Sequence, residues 1–291
     1  MKVSEKAKQI QAKTWEELLQ LIRNYSAGWA FRGAGSSLWE LKTSLERLEA
    51  VPVYQAELYL LSAFQRRIHH YVDDPPDRED DLEWLALMQH HGAPTRILDW
   101  TKSPYVALFF ALEQPGDSGS DHALWAIDLD WCKTQAFARV LSPQVVGSLP
   151  PLDPSESLGK PGIFKAIFLR QQGQGITMVA PLQPFRMNQR LVIQQGLFLV
   201  PGNPAVSFEQ NLLAYEAAQF PDHVHKIVIP GSKRVEILGA LNKMNINRAS
   251  LFPGIDGFAQ SLGTNVQIAT LTGRLSSEIQ KLGVYTEYGF L

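Results

Sequence analysis

Gln89-His90-His91-Gly92-Ala93-Pro94-Thr95-Arg96-Ile97-Leu98-Asp99-Trp100-Thr101-Lys102-Ser103 is the stretch that decides how this chain is organised. Before it, Leu82 to His91 carries apolar residues at helical spacing, and Gly92 with Pro94 beyond it stops the helix. Ile97 to Trp100 then reads as a strand. Ser103 followed by Pro104 supplies an N-cap and a proline at the first helical position, so Tyr105 to Glu113 is expected to be a short, mostly buried helix. Helix, strand and helix thus follow one another within some thirty residues. Between them lie polar groups that must be paired with each other or offered to a ligand.

Working outward, Thr14-Trp15-Glu16-Glu17 reads as a capping box that opens a helix running to Asn24. Trp29-Ala30-Phe31 is a short strand with Arg32 at its end, stopped by Gly33-Ala34-Gly35-Ser36-Ser37. An amphipathic helix is expected from Tyr54 to Tyr71, with Glu57, Arg66 and Arg67 on its polar side. Asp73 to Asp81 and Pro115 to Asp121 read as loops, and Pro150 to Gly162 as a connection. Strands are expected at Ala123 to Asp128, Ile176 to Ala180, Leu191 to Val200 and Val224 to Ile229, with a helix from Phe208 to Phe220. This pattern gives an α+β class: a mixed or antiparallel sheet core, flanking helices and a C-terminal helical extension over Ser232 to Leu262. The expected organisation is an N-terminal helix (1–24), a main domain (25–262) in which an internal boundary near 150–162 stays open, and a C-terminal tail (263–291).

Composition narrows the class. The 291 residues are 45% hydrophobic and 19% charged, which suits a compact globular chain. A single cysteine, Cys132, forms no internal disulfide and points to a reducing compartment, so a cytoplasmic location is expected. The N-terminus lacks the apolar run of a signal peptide, and no uncharged stretch approaches the roughly 20 residues that span a bilayer. With 27 basic and 29 acidic residues the net charge is −2, so nucleic acid is not a favoured partner.

Most standard sites need spacings that are absent here. There is no phosphate-binding loop of the Gly-x-x-x-x-Gly-Lys type, no His-Glu-x-x-His, no EF-hand, no cysteine pair for zinc and no Gly-x-Ser-x-Gly elbow. Gly33-Ala34-Gly35 begins a dinucleotide loop, but Leu38 stands where its third glycine belongs. His69-His70 and His90-His91 are neighbours on helices, where side chains diverge by about 100°, so neither pair shares one ion and no metal site is expected. Arg32 and Asp99 allow two readings, a buried structural ion pair or a ligand site.

Phe31-Arg32-Gly33, Gln89-His90-His91-Gly92, Thr95 to Thr101 and Ser103 to Ala111 resemble the FRG-domain family, named for its (Phe/Tyr)-Arg-Gly motif. Gln194-Gln195-Gly196-Leu197-Phe198 and Asn247 to Pro253 resemble its later motifs, which extends the likeness over about residues 25 to 262. The family brings no assigned reaction. A second resemblance is to the ADP-ribosyltransferase fold, with Arg32-Gly33 as its first element and Thr101-Lys102-Ser103 as its second. Around Gln194-Gln195-Gly196 a Gln falls where that family's catalytic Glu stands, so either Asp99 or Glu216 supplies the charge, catalysis is weak, or the domain only binds. The resemblance implies NAD as cofactor, held by Arg32, Gly33, His91, Thr95, Arg96 and Ser103, with Arg32, Asp99, Thr101 and Gln195 at the reaction centre. It further implies a transferase or NAD glycohydrolase acting as a toxin or phage-defence effector on a nucleotide or protein substrate. The alternative is a non-catalytic domain that binds a nucleotide or protein, in which the Arg/Asp/His motif is a structural polar network.

Overall fold

The computed structural model describes residues 2–49, 52–113, 120–142, 157–169, 175–216, 218–275, 277 and 279. Among them a seven-stranded sheet runs in the order β1-β7-β4-β2-β3-β6-β5. Its strands are β1 (Lys8–Gln11), β2 (Trp29–Ala34), β3 (Leu98–Thr101), β4 (His122–Asp128), β5 (Val179–Leu182), β6 (Gly196–Pro201) and β7 (Val224–Ile229). Only β1 pairs in parallel, with β7; every other neighbouring pair is antiparallel, so the sheet is mixed.

Thirteen α-helices among the described residues surround it. They are α1 (Val3–Lys6), α2 (Trp15–Arg23), α3 (Val53–Arg67), α4 (Asp81–His90), α5 (Pro104–Leu112), α6 (Leu129–Val140), α7 (Pro161–Phe164) and α8 (Gln189–Ile193), followed by α9 (Phe208–Leu213), α10 (Phe220–His223), α11 (Arg234–Lys243), α12 (Arg248–Leu251) and α13 (Ile255–Leu271). Local signals explain several of them. Thr14 Oγ1 accepts from the Glu17 amide to start α2, and Ser103 Oγ accepts from Val106 to start α5. Six of the nine residues of α5 are buried, as its uninterrupted apolar sequence requires of an interior helix.

The sheet separates two apolar layers. On one face α5 packs with Leu18, Ile22, Phe31, Leu124 and Leu238; on the other Trp84, Leu85, Trp100, Trp125 and Phe168 form the larger cluster. Strands from before and after the expected 150–162 connection lie side by side, since β4 pairs with β7 and β3 with β6. Residues 143–156 and 114–119 lie outside the described residues, and from Pro161 the chain is already helical.

Some expectations change. Arg32 is not at a strand end, because β2 continues through Ala34 with Gly33 opposite Leu124 and Ala34 opposite Ala123. Leu191 to Val200 is not one strand: Asn188 accepts a 2.8 Å bond from the Leu191 amide and starts α8, which must end before β6 can begin. The expected helix from Phe208 to Phe220 stops at Leu213. Lys8–Gln11 is an edge strand, and α13 runs on to Leu271, inside the stretch expected as a tail.

Glu57 is the largest departure. Expected on the polar side of α3, it lies 1% exposed beside Arg96, itself 2% exposed. Arg96 Nε donates to Glu57 Oε1 at 2.6 Å, Nη2 donates to Oε2, and Nη1 donates to the Phe168 carbonyl at 2.9 Å. The pair joins α3, the approach to β3 and the π-helical segment Lys165–Leu169, with all three guanidinium nitrogens engaged. Truncating one partner strands the other charge, so Glu57→Ala is expected to cost about 3–5 kcal/mol in urea unfolding, and the double variant Glu57→Met/Arg96→Met to recover most of that.

Asp81, in the first turn of α4, is 5% exposed and its Oδ2 has no hydrogen-bond partner among the described residues. Burial pushes its carboxyl up from 3.8 to about 6; Lys165 opposes the rise, and Glu79, Asp80 and Glu57 add to it. Folding therefore favours the protonated form, a contribution that is full below pH ~4 and lost as pH rises through about 6. Asp81→Asn should accordingly raise the Tm at pH 7.5 and leave it unchanged at pH 4, as thermal unfolding across that range will check.

Candidate ligand-binding cleft

The sheet opens between β2 and β3. Their ladder is limited to Phe31 opposite Thr101, whereas β2 matches β4 over six positions and β3 matches β6 over four. Beyond Phe31 the Asp99 carbonyl has no ladder donor from β2, and Arg32 Nη1 supplies one at 2.6 Å. The other guanidinium nitrogens of Arg32 make no hydrogen bond among the described residues. Burial lowers the pKa of Arg32; the nearby Asp99 charge opposes this and Arg47 adds to it.

Gly33 is fixed by packing. A Cβ there would run into the Ala107 carbonyl and the Ala111 amide of α5, so only glycine lets this helix sit directly on β2. The loop that leads into α5 is latched as well. Thr101 Oγ1 donates to the Gln194 carbonyl at 2.6 Å and accepts from the Ser103 amide at 3.0 Å, while Ser103 caps α5.

Between these elements lies a cleft of about 220 Å³, lined by Arg32, Asp99, Phe110, Arg190 and Gln194 among others. Arg32, Gly33 and Phe110 also border a larger cleft of about 930 Å³, walled by residues 34–42. That wall is tied down at both ends. The Ser37 amide donates to the Asp121 carbonyl, Lys226 Nζ donates to the Ser37 carbonyl, and the Leu41 amide donates to Glu209 Oε1. Leu38 and Trp39 are left 86% and 61% exposed between the anchors.

The expected site residues part company. Arg32, Gly33, Asp99 and Thr101 line the smaller cleft together. Arg96 does not: Glu57 and two carbonyls occupy it inside the core. Thr95 is fully buried, its Oγ1 donating to Gln89 Oε1 at 2.6 Å and its amide donating to Ser44 Oγ. His91 is exposed at the C-terminus of α4. Gln195 is exposed in the left-handed conformation at φ 50°, linking α8 to β6, and its carbonyl accepts from the Lys102 amide. Its neighbour Gln194 lines the cleft instead and donates to the Leu251 carbonyl at 3.0 Å. Glu216 is absent from the residues lining either cleft.

Arg190 was not anticipated. It enters the cleft from α8, half-buried and with no hydrogen bond or ion pair among the described residues, and burial lowers its pKa despite Asp99. The Asn188 N-cap was the sequence signal for the helix that carries it. Asp99 is the one carboxylate among the residues lining this cleft, and its Oδ2 accepts from Gln89 Nε2 at 2.6 Å. Among the described residues no three His, Cys, Asp or Glu side chains converge as metal ligands, and no helix is long and apolar enough to cross a membrane.

Fold and cleft thus define an α+β protein whose mixed sheet parts at an arginine-bearing strand. Residues 27–120, which contain β2, β3, α5 and the wall of the larger cleft, match the FRG domain, and the chain carries an FRG domain. The match ends before the later motifs around Gln194 and Asn247. No curated protein and no solved structure matches the chain, so the likeness to ADP-ribosyltransferases rests on its quoted residues alone.

Arg32 bonds the backbone of Asp99 and not its carboxylate, so of the two readings of this pair the buried structural ion pair is not formed. Asp99→Asn is therefore expected to change stability by less than about 0.5 kcal/mol, and a double-mutant cycle with Arg32→Gln to show coupling below about 0.5 kcal/mol. Coupling above about 1.5 kcal/mol in urea unfolding would restore the ion pair.

Proposed function

We propose that the cleft beside Arg32 binds a nucleotide carrying a pyrophosphate, with NAD the first candidate. The observation that carries this reading is the Arg32 guanidinium, half-buried at the parting of the sheet with one nitrogen engaged and the rest facing two clefts. A guanidinium fork holds pyrophosphate oxygens through paired charge-assisted bonds, and its partial desolvation strengthens them. Arg190 brings a second cation to the same space. The exposed Trp39 ring, on the rim of the larger cleft, suits a stacked base.

Asp99 is the carboxylate available for chemistry. Cleaving the nicotinamide bond develops positive charge on the ribose, which a carboxylate stabilises; water then attacks, giving ADP-ribose, nicotinamide and a proton. A chain that consumes NAD in this way would act in its cell as a toxin or a phage-defence effector. A binding-only domain is the second reading, supported by the amide side chains at Gln194 and Gln195 in place of a carboxylate.

Calorimetric titration of NAD together with chromatography of released nicotinamide tests both. Arg32→Gln is expected to weaken NAD binding at least tenfold and, because it strips the Asp99 carbonyl of its donor, to cost about 1–3 kcal/mol of stability; Arg190→Gln, whose side chain makes no hydrogen bond among the described residues, should weaken NAD binding with the Tm unchanged. Asp99→Asn should keep binding and abolish nicotinamide release. Binding without release in the parent chain selects the second reading, and absence of any binding rejects the nucleotide reading.

A further inference from the structure

Behind the smaller cleft Arg190 turns a corner. The same side chain lines a separate cavity of about 420 Å³, whose other walls include His90, Arg248, Phe252, Asp256 and Gln260. Arg190 Cζ stands 4.3 Å from the centre of the Phe252 ring, and Arg248 Cζ stands 4.4 Å from the same centre. Two guanidinium groups, one from α8 and one from α12, therefore stand on one aromatic ring. The ring's quadrupole attracts each of them but leaves their mutual repulsion in place.

Their donors are under-used. Arg190 makes no hydrogen bond among the described residues. Arg248 Nη1 pairs with Glu113, while its Nε is buried without a partner. His90 stands half-buried in the same wall, and burial, with smaller contributions from His91 and Arg190, lowers its pKa below the usual imidazole value. The first turn of α13, which contributes Asp256 and Gly257 to the wall, has no side-chain cap. Gly257 fits there because a Cβ would strike the Phe252 carbonyl. One carboxylate opposes an anion, that of the exposed Asp256, and it is the single acidic group lining the cavity.

We propose that this cavity is a phosphate-binding subsite, in which Arg190 and Arg248 grip a phosphate or pyrophosphate group. Phosphate and pyrophosphate fit because donors from two planar forks converge on a cavity whose lining residues include one carboxylate, that of Asp256. The subsite does not depend on the Arg32 cleft holding NAD; because Arg190 borders both spaces, a phosphate on a nucleotide seated at Arg32 and a free phosphate are alternative sources of the same group.

The test is calorimetric titration of inorganic pyrophosphate, and in a second arm of NAD, into the full chain at low ionic strength. Arg190→Gln removes a guanidinium that has no protein partner, and is expected to weaken pyrophosphate binding at least tenfold with an unchanged Tm. Gln260→Glu places a second carboxylate on the wall and should weaken it at least threefold, again without loss of Tm. In the Arg32→Gln background, which removes the guanidinium of the neighbouring cleft, pyrophosphate binding should persist and should still fall at least tenfold when Arg190→Gln is added. Pyrophosphate binding that follows this pattern upholds the subsite even if NAD does not bind, in which case only the nucleotide reading falls. The subsite is overturned if the parent chain takes up no pyrophosphate, if both cavity variants bind it as the parent does, or if Arg32→Gln alone abolishes it.

Discussion

The hydrogen bond from Arg32 to the Asp99 carbonyl is the contact on which the cleft depends. Where β2 and β3 stop pairing, a carbonyl is left that must find a donor, and a long side chain from β2 reaches across to provide it. The gap between the strands is thereby bridged without being closed. A backbone bond at the same place would zip β3 onto β2 and remove the space that Arg190 and Asp99 line. The motif arginine is thus a structural donor through one nitrogen and a candidate ligand donor through the others.

Its neighbours divide the work differently. Gly33 gives α5 its seat, and Thr101 and Ser103 spend their hydroxyls on the Gln194 carbonyl and the start of that helix. A glycine beside an arginine invites the idea of close approach to a phosphate, yet at Gly33 the atoms in the way of a Cβ belong to the protein's own helix. The Phe-Arg-Gly motif therefore combines a core aromatic, a bridging cation and a packing glycine on three successive residues.

The elements set by local signals could be read in advance. Proline at the first turn, hydroxyl caps and short runs of apolar β-formers placed α2, α5, β4 and β7 close to where they are. What could not be read was set at a distance. Glu57 and Arg96 are 39 residues apart, so helical periodicity assigned Glu57 to solvent while the fold buries it against a guanidinium. The error at Leu191 to Val200 was of another kind: apolar residues continue through both α8 and β6, and only the Asn188 cap and the left-handed Gln195 mark the change between them. Because that stretch read as one strand, Arg190 fell on no expected face, and the second cation of the cleft went unseen.

A net charge of −2 says nothing against an anion site here, since local fields depend on where the charges stand. Arg32, Arg190 and Arg248 gather where β2, α8 and α12 meet, and burial lowers the pKa of the first two. The carboxylates in reach are already committed in part: Glu113 to Arg248, and Asp99 to Gln89. Burying cations without matching acceptors costs stability unless something else supplies the charge. A bound phosphate would do so, at the parting of the strands and beside Arg190.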